Sequence, residues 1–317
     1  MIEIFLAFLV LSGGIVLILF SSKNAVIHSA KLAKLLGISP LIIGITLVSI
    51  GTDISEIFNS IISCALGHGD IDVGDSVGSD LTQITLIFGI LPIICGAFYI
   101  HRKDIILLGS CEILSLIFIF TVVEKGFFTR FDGLFLVNGL ILFIILIYNA
   151  NKESIIQRME YLELNILPKK KIYHLSIAVI CFLGVALSSF MIVESIIIIS
   201  NKIGIHEYII SFFIVSIGTS LPELSVEINA LKCKEHSIAI GDILGSCIVD
   251  STLSIGIGQL LFPQIITASL ATSTVLFTMI ASLIVIGIIA VRKKMDKKTS
   301  IIFIGLYLLA YILLFRL

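Results

Sequence analysis

Long apolar runs separated by short polar breaks set the rhythm of this chain. The runs fall at about 2–22, 40–66, 71–98, 104–123, 132–149, 173–200, 207–231, 237–262, 267–291 and 298–316. Each is close to the roughly 20 residues that carry a helix across a bilayer. The pattern predicts an all-α polytopic membrane protein with ten transmembrane helices. Two runs interrupt their own apolar character. "VSIGTDISEIFNS" at 48–60 places Gly51, Thr52, Asp53, Ser55 and Glu56 inside the second run, and "VSIGTSLPE" at 215–223 does the same in the seventh.

Composition agrees with the pattern. Of 317 residues, 58% are hydrophobic and 14% charged, with a mean hydropathy of +1.16, whereas soluble domains carry about a quarter charged residues. The net charge of −1 gives no sign of a nucleic-acid partner; the lipid bilayer is the implied surrounding. The placement of charge is more informative. With ten spans, the connections on one side collect 17 of the 21 Lys and Arg residues and the other side 4. By the positive-inside rule the basic side is cytoplasmic and both termini lie outside. The opening "MIEIFLAFLVLSGG" has no basic residue before its apolar stretch, which reads as a retained first span. Cysteines 64, 95, 111, 181, 233 and 247 form no CxxC pair and read as small packing residues.

The two interrupted runs are copies of one another. At an offset of 167, residues 48–83 and 215–250 agree at 12 of 36 positions, concentrated on Gly, Thr, Ser and acidic residues. The chain therefore divides into a first five-helix unit at 1–149, a basic cytoplasmic linker at 150–172, and a second five-helix unit at 173–317. Five spans per unit make the second enter the membrane upside down. Such inverted-topology repeats place a transporter's substrate near the midplane, where broken helices meet.

The repeated residues specify the chemistry. Gly51-Thr52 and Gly218-Thr219 are expected to unwind their helices, with Pro222 removing a backbone donor from the second, and to free carbonyl oxygens there. Glu56 and Glu223 follow one turn later. Ser79 and Ser246 each lie 23 positions beyond the matching Glu; Asp250 lies four residues past Ser246, and Gln83 is its counterpart. No Lys or Arg occurs in 48–83, 215–231 or 237–250, although Asp53, Glu56, Asp75, Asp80, Glu223, Glu227, Asp242 and Asp250 do. Buried charges need a counter-charge, so a bound cation or a proton is implied. An all-oxygen set suits Ca²⁺ and Na⁺. Histidines 28, 68, 101, 174, 206 and 236 fall near span ends, which speaks against zinc or copper. Blander roles exist beside these. Thr52 alone would bond a preceding carbonyl. Helix N-capping accounts for Asp75 and Asp242 as well as ligation does. Asp80, with Cys247 opposite it in the repeat, is expected to point away from the site. Glu227 either lines an exit or is hydrated. Glu112 and Glu194 read as packing or interfacial residues.

"GTSLPE" followed by "GSCIVD" resembles the second α-repeat of sodium/calcium exchangers in the cation/calcium exchanger superfamily, and "GTDISE" with "GSDLTQ" resembles a diverged first α-repeat. The resemblance spans both halves and is similar to the compact prokaryotic members. It implies a cation-binding core of spans two, three, seven and eight, across which spans one and six slide during alternating access. It implies cation ligands at Glu56, Glu223, Asp250, Gln83, Thr52, Thr219, Ser220, Ser79 and Ser246, with Asp53 added by this sequence. It implies antiport of Na⁺ against Ca²⁺ at the plasma membrane, inorganic cations as cargo, no prosthetic group and no enzymatic reaction. The first repeat departs from the family: Asp53 replaces Ser, Ser55 replaces Pro, Gln83 replaces Asn, and Asp80 is an extra acid. Asp53 and Gln83 keep an H⁺-coupled exchanger of Ca²⁺ or another divalent ion open as the alternative. A remote reading as an intramembrane aspartyl protease rests on "GHGD" at 67–70 with Asp53 as second acid. "HEYII" at 206–210 lacks the second His of a zinc-protease helix, and a passive channel is the remaining rival.

Overall fold

The computed structural model describes residues 2–35, 49–150, 168–232 and 236–314. The start of the second expected span (40–48), most of the linker (151–167), Cys233 and Lys234 lie outside them. Fifteen helical pieces occur among the described residues: α1 (Ile2–Leu35), α2 (Ser49–Thr52), α3 (Ile54–Ala65), α4 (Gly69–Leu81), α5 (Phe88–Cys95), α6 (Arg102–Val123), α7 (Arg130–Ala150), α8 (Pro168–Ile203), α9 (Glu207–Ile210), α10 (Ser216–Thr219), α11 (Leu221–Lys232), α12 (His236–Val249), α13 (Ile255–Leu261), α14 (Ala268–Arg292) and α15 (Lys297–Leu314). Wider π-helical turns join three pairs of them, at Thr82–Ile87, Ser211–Val215 and Asp250–Ser254. Eight described helices are long and apolar enough to cross a membrane. α3 is a shorter apolar helix, and α15 has 18 residues.

The interior holds many polar and charged side chains beside its apolar clusters, and large apolar side chains cover the outside. Phe20, Phe131, Leu183 and Val291 are exposed, while Thr52, Asp53, Glu56, Asp80, Glu112, Glu223 and Asp250 are buried. Chains in water usually bury apolar groups and expose charged ones; a lipid-facing surface reverses the requirement.

α1 and α8, with 34 and 36 residues, are about 50 Å long at 1.5 Å per residue, well over a bilayer's hydrocarbon thickness of roughly 30 Å. They pack antiparallel. Lys202 pairs with Glu3 at 2.7 Å, a Cβ on Gly14 would press on Ile192 at 3.0 Å, and His174 meets His28 at 3.0 Å. Their apolar seam includes Leu11, Ile18, Val185 and Ile196. α4 lies against the Ser211–Val215 turn so closely that a Cβ on Gly78 would overlap the Phe212 carbonyl and one on Gly74 would sit 2.7 Å from that of Tyr208. Glycine is required there by the approach of two backbones.

The connections carry the offset of 167 well beyond the motif. Gly126, three residues past α6, has φ +74, and Lys293, the residue after α14, has φ +53, a left-handed conformation that glycine takes without strain. Next, Thr129 and Asp132 exchange bonds at the start of α7: Thr129 N–H donates to the carboxylate at 2.9 Å and Asp132 N–H to the hydroxyl at 3.3 Å. At the start of α15, Thr299 N–H donates to the Asp296 carboxylate at 3.2 Å and Asp296 N–H to the Thr299 hydroxyl at 2.8 Å. These are reciprocal capping boxes with acid and hydroxyl exchanged between first and last position. The Thr299 N–H, the Arg292 guanidinium and the Lys298 N–H hold the Asp296 carboxyl below the usual carboxylate range. Two short pairings complete the correspondence: Phe98–Tyr99 (β1) with Lys294–Met295 (β2) at one end, and Phe127 with Ile265 at the other.

Candidate cation site

Where the sequence predicts unwinding, the chain makes a one-residue kink instead. α2 gives way to α3 at Asp53, with φ −76 and ψ 11, and α10 to α11 at Ser220, with φ −83 and ψ 3. The backbone bonds carry on across the kinks: Asp53 N–H reaches Ser49 O at 2.9 Å and Ile57 N–H reaches Asp53 O at 2.9 Å. Ser220 N–H to Ser216 O at 3.1 Å and Leu224 N–H to Ser220 O at 3.3 Å repeat the arrangement. The expectation of breaks at Gly51-Thr52 and Gly218-Thr219 is thereby corrected by one residue and in extent. A glycine costs a helix only about 1 kcal/mol, and a ψ near zero turns the axis without forfeiting the ladder.

The kinks bring three acids together. One carboxylate oxygen each from Asp53, Glu56 and Glu223 lies within 4.8 Å of the others, and all three residues are buried. Glu56 Oε2 accepts a hydrogen bond from the Ser55 hydroxyl at 2.6 Å. The other five carboxylate oxygens of the three residues have no hydrogen-bond partner, and no ion pair reaches them among the described residues. Like charges this close in a low-dielectric interior repel strongly, so the cluster calls for positive charge. Oxygens on opposite sides of one Ca²⁺ stand about 5 Å apart, which matches the spacing.

Hydroxyls flank the acids in two corresponding pairs. Thr52 Oγ1 lies 3.4 Å from Ser246 Oγ, and Thr219 Oγ1 lies 3.4 Å from Ser79 Oγ. Each pair joins one copy of the motif to the other, and the offset of 167 converts one pair into the other. Thr52 also donates to Ser49 O at 3.0 Å, the local bond expected of an intramembrane Thr. Ser220 Oγ is buried without a partner. On the far side of the acids, the Gln83 amide donates to Asp250 Oδ2 at 3.3 Å, and Gln83 Oε1 accepts from the Cys247 thiol at 3.5 Å. Asp250 also accepts from Ser254 at 3.3 Å. Asp250 acts on Asp53 by charge but stands outside the three-acid cluster.

The remaining acids sort themselves clearly. Asp75 accepts from Asn59 at 2.6 Å and from Thr219 at 3.2 Å. It lies within α4, whose N-cap position is His68, and Asp242 lies within α12. The capping reading of these two is overturned because both fall beyond the first turn. Asp80 does point away from the three acids: it accepts from Ser251 and faces Glu112 by charge. Glu112 is buried and accepts from Ser282 at 2.6 Å, which rules out an interfacial place for it. Glu227 is also fully buried, so the hydrated alternative falls. Asp70 accepts from the backbone and hydroxyl of Thr267, both at 2.6 Å. Both Asp70 oxygens are thus taken by Thr267, with His206 Nε2 3.6 Å from one of them, whereas the acids gathered around Asp53 are Glu56 and Glu223. Two of the cysteines do more than fill space: Cys64 donates to Asp72 at 3.2 Å and Cys247 to Gln83.

Sequence reading passed over Asn59, Ser60 and Asp72. Asp72 accepts from Gln259 at 2.7 Å. Ser55, Glu56, Asn59, Ser60 and Ser63 recur at helical spacing along α3, a polar stripe that marks a face turned to other polar groups.

The helices, with acids and hydroxyls inward and apolar side chains outward, define a polytopic membrane protein with an oxygen-lined centre. The sodium/calcium exchanger protein family matches residues 6–149 and 173–316, and the chain belongs to it. Among similar proteins, the inner membrane protein YrbG of Escherichia coli is 30% identical over 270 residues, covering 81% of each chain. The putative antiporter CaxA of Alkalimonas amylolytica is 29% identical, covering 81% of this chain and 82% of its own. The sodium/calcium exchanger MaX1 of Methanosarcina acetivorans is 28% identical over 97% and 98% of the two chains. The fold is similar to that of the sodium–calcium exchanger NCX_Mj soaked with Na⁺ and Sr²⁺, with a TM-score of 0.65 at 25% identity, covering 97% and 98% of the chains. An H⁺/Ca²⁺ exchanger, CAX, superposes with a TM-score of 0.77 at 15% identity over 96% of this chain and 82% of its own.

Proposed function

We propose that this protein is a secondary active antiporter that moves Ca²⁺ against Na⁺ across the plasma membrane. The observation that carries the reading is the buried cluster of Asp53, Glu56 and Glu223, whose oxygens lie within 4.8 Å of one another and of which five of six have no partner. Na⁺ and Ca²⁺ compete for these acids. Asp250 adds charge beside them, Gln83 holds Asp250, and Thr52, Ser79, Thr219, Ser220 and Ser246 supply neutral oxygens. An unneutralised cluster is too costly to carry past the apolar barrier, so only cation-loaded forms change sides, and transport becomes exchange.

Ten spans in two inverted five-helix units, 1–149 and 173–317 joined by the cytoplasmic linker 150–172, accommodate this mechanism with both termini outside. Support comes from the matching hydroxyl pairs and capping boxes at the 167 offset, and from the 17-to-4 division of basic residues. α1 and α8, packed antiparallel and longer than the bilayer is thick, are the elements that slide over the site.

Asp53 favours a second reading in which H⁺ drives the exchange, because it gives the site a third carboxylate that a proton can neutralise. Purified protein in liposomes tests both. An imposed Na⁺ gradient is expected to drive ⁴⁵Ca²⁺ movement that requires Na⁺ on the opposite face. Ca²⁺ movement driven by a pH gradient and indifferent to Na⁺ would replace the first reading with the second. Flux without any counter-ion would identify a channel.

A further inference from the structure

The central acids leave unexplained two carboxylates further along the second copy of the motif. Glu227 lies on α11 one turn beyond Glu223, and Asp242 lies on α12, packed against it. They are 0% and 2% exposed, and among the described residues none of their four oxygens meets a hydrogen-bond donor. Deep burial of two acids without a donor is among the costliest arrangements a fold can hold. The charge acting on Glu227 is that of Asp242, and the charge of Asp242 reaches Asp53 and Glu223 in turn. Along α11, Glu227 lies one turn nearer than Glu223 to the Lys232 end. No ion pair joins Lys232 to either acid among the described residues. At the corresponding places in the first copy stand Asp75, which has two donors, and Ser60.

We propose that Glu227 and Asp242 form a second divalent-cation site, a station between the central cluster and the end of the molecule at Lys232. This rests on the exchanger reading for its cargo, Ca²⁺, but not on the driving ion. Two carboxylates with four uncommitted oxygens suit a hard divalent cation. A fixed acid pair on one route raises local Ca²⁺ there and leaves the opposite route unchanged.

Two measurements test it. Equilibrium ⁴⁵Ca²⁺ binding to the purified wild-type protein is expected to reach two ions per chain at saturation; one ion per chain overturns the proposal, whatever the variants do. In liposomes of sorted orientation, Glu227→Gln and Asp242→Asn are expected to raise half-saturating Ca²⁺ roughly tenfold on the Lys232 face. Half-saturation on the other face should stay within about twofold, with the maximal rate kept and Glu227→Asp recovering most of the affinity. An equal rise on both faces, or a lost maximal rate at unchanged affinity, assigns the pair to structure alone and sinks the idea. Absence of any Ca²⁺ flux in the wild type would instead strike the exchanger reading, which the binding count does not need.

Discussion

The two copies of the motif share a backbone plan and differ in how their polar groups are satisfied. In the first copy, α3 and α4 tie their acids down: Asn59 and Thr219 donate to Asp75, Gln259 and Cys64 to Asp72, and Ser55 to Glu56. In the second, Glu223, Glu227 and Asp242 have no donor on any carboxylate oxygen. The kinks differ in the same sense. Asp53 puts a charged side chain at the turn, and Ser220 a neutral one. Pro222 stiffens the start of α11 where Ser55 leaves α3 able to donate. Two acids cross this divide: Asp53 of the first copy has no donor on either oxygen, and Asp250 of the second accepts from Gln83 and Ser254. The central site therefore draws both bonded and vacant carboxylate oxygens from each copy.

The strongest way to break the comparison is to remove the charges that the copies contribute jointly. Glu56→Gln and Glu223→Gln are each expected to lower Na⁺-dependent ⁴⁵Ca²⁺ exchange by more than roughly a hundredfold, since changes merely adjacent to metal ligands already cost 10- to 100-fold. If either variant kept a tenth or more of wild-type flux, that glutamate would leave the site and the two copies would not be equivalent partners.

A smaller effect follows from making the first kink like the second. Asp53→Ser removes the additional carboxylate and leaves Glu56 and Glu223 in place. Ligand charge sets the affinity of oxygen sites for Ca²⁺, so half-saturating Ca²⁺ should rise roughly tenfold while Na⁺-driven flux persists. A variant that lost pH-driven Ca²⁺ movement would show instead that Asp53 carries the coupling proton. Next in size is Gly78→Ala, which sets a methyl group against the Phe212 carbonyl. Overpacking of this kind costs roughly 1–3 kcal/mol, read as a lower unfolding temperature in detergent. An unchanged temperature would mean that α4 and the Ser211–Val215 turn separate more easily than their packing implies.

Much of this was legible in the residues, and what was missed has a common cause. Apolar run length marks the eight long membrane-crossing helices, and the repeated letters pair Glu56 with Glu223. The capping boxes escaped that comparison because Thr129 and Asp132 exchange places with Asp296 and Thr299; the geometry repeats but the identities are reversed. Unwinding at Gly51-Thr52 was expected because glycine weakens helices, yet the kink sits at the next residue, where tertiary contacts choose ψ. Sequence neighbours alone do not place Asp75, Asp242 and Glu112. Their places depend on Asn59, Thr219 and Ser282, which lie on other helices, and on donors that never arrive. Absence of a partner is a property of three-dimensional packing that no spacing along the chain reports.

The smallest expected effect is also the most direct comparison of the two kinks. Ser55→Pro gives the first copy the proline that the second carries at Pro222. Position 55 is the second residue of α3, within the first turn, where backbone N–H groups have few acceptors inside their own helix and proline is accepted. What is lost is the Ser55 donor to Glu56, worth about 1.5–3 kcal/mol for a bond to a charged group, partly recovered by the stiffer chain. The variant should fold, unfold a few degrees earlier in detergent, and exchange Ca²⁺ with a half-saturation changed by only a few-fold. Failure to fold would show that Asp53 and Ser220, alike in φ and ψ, turn the chain into different surroundings, and that the first copy needs its serine to hold the kink.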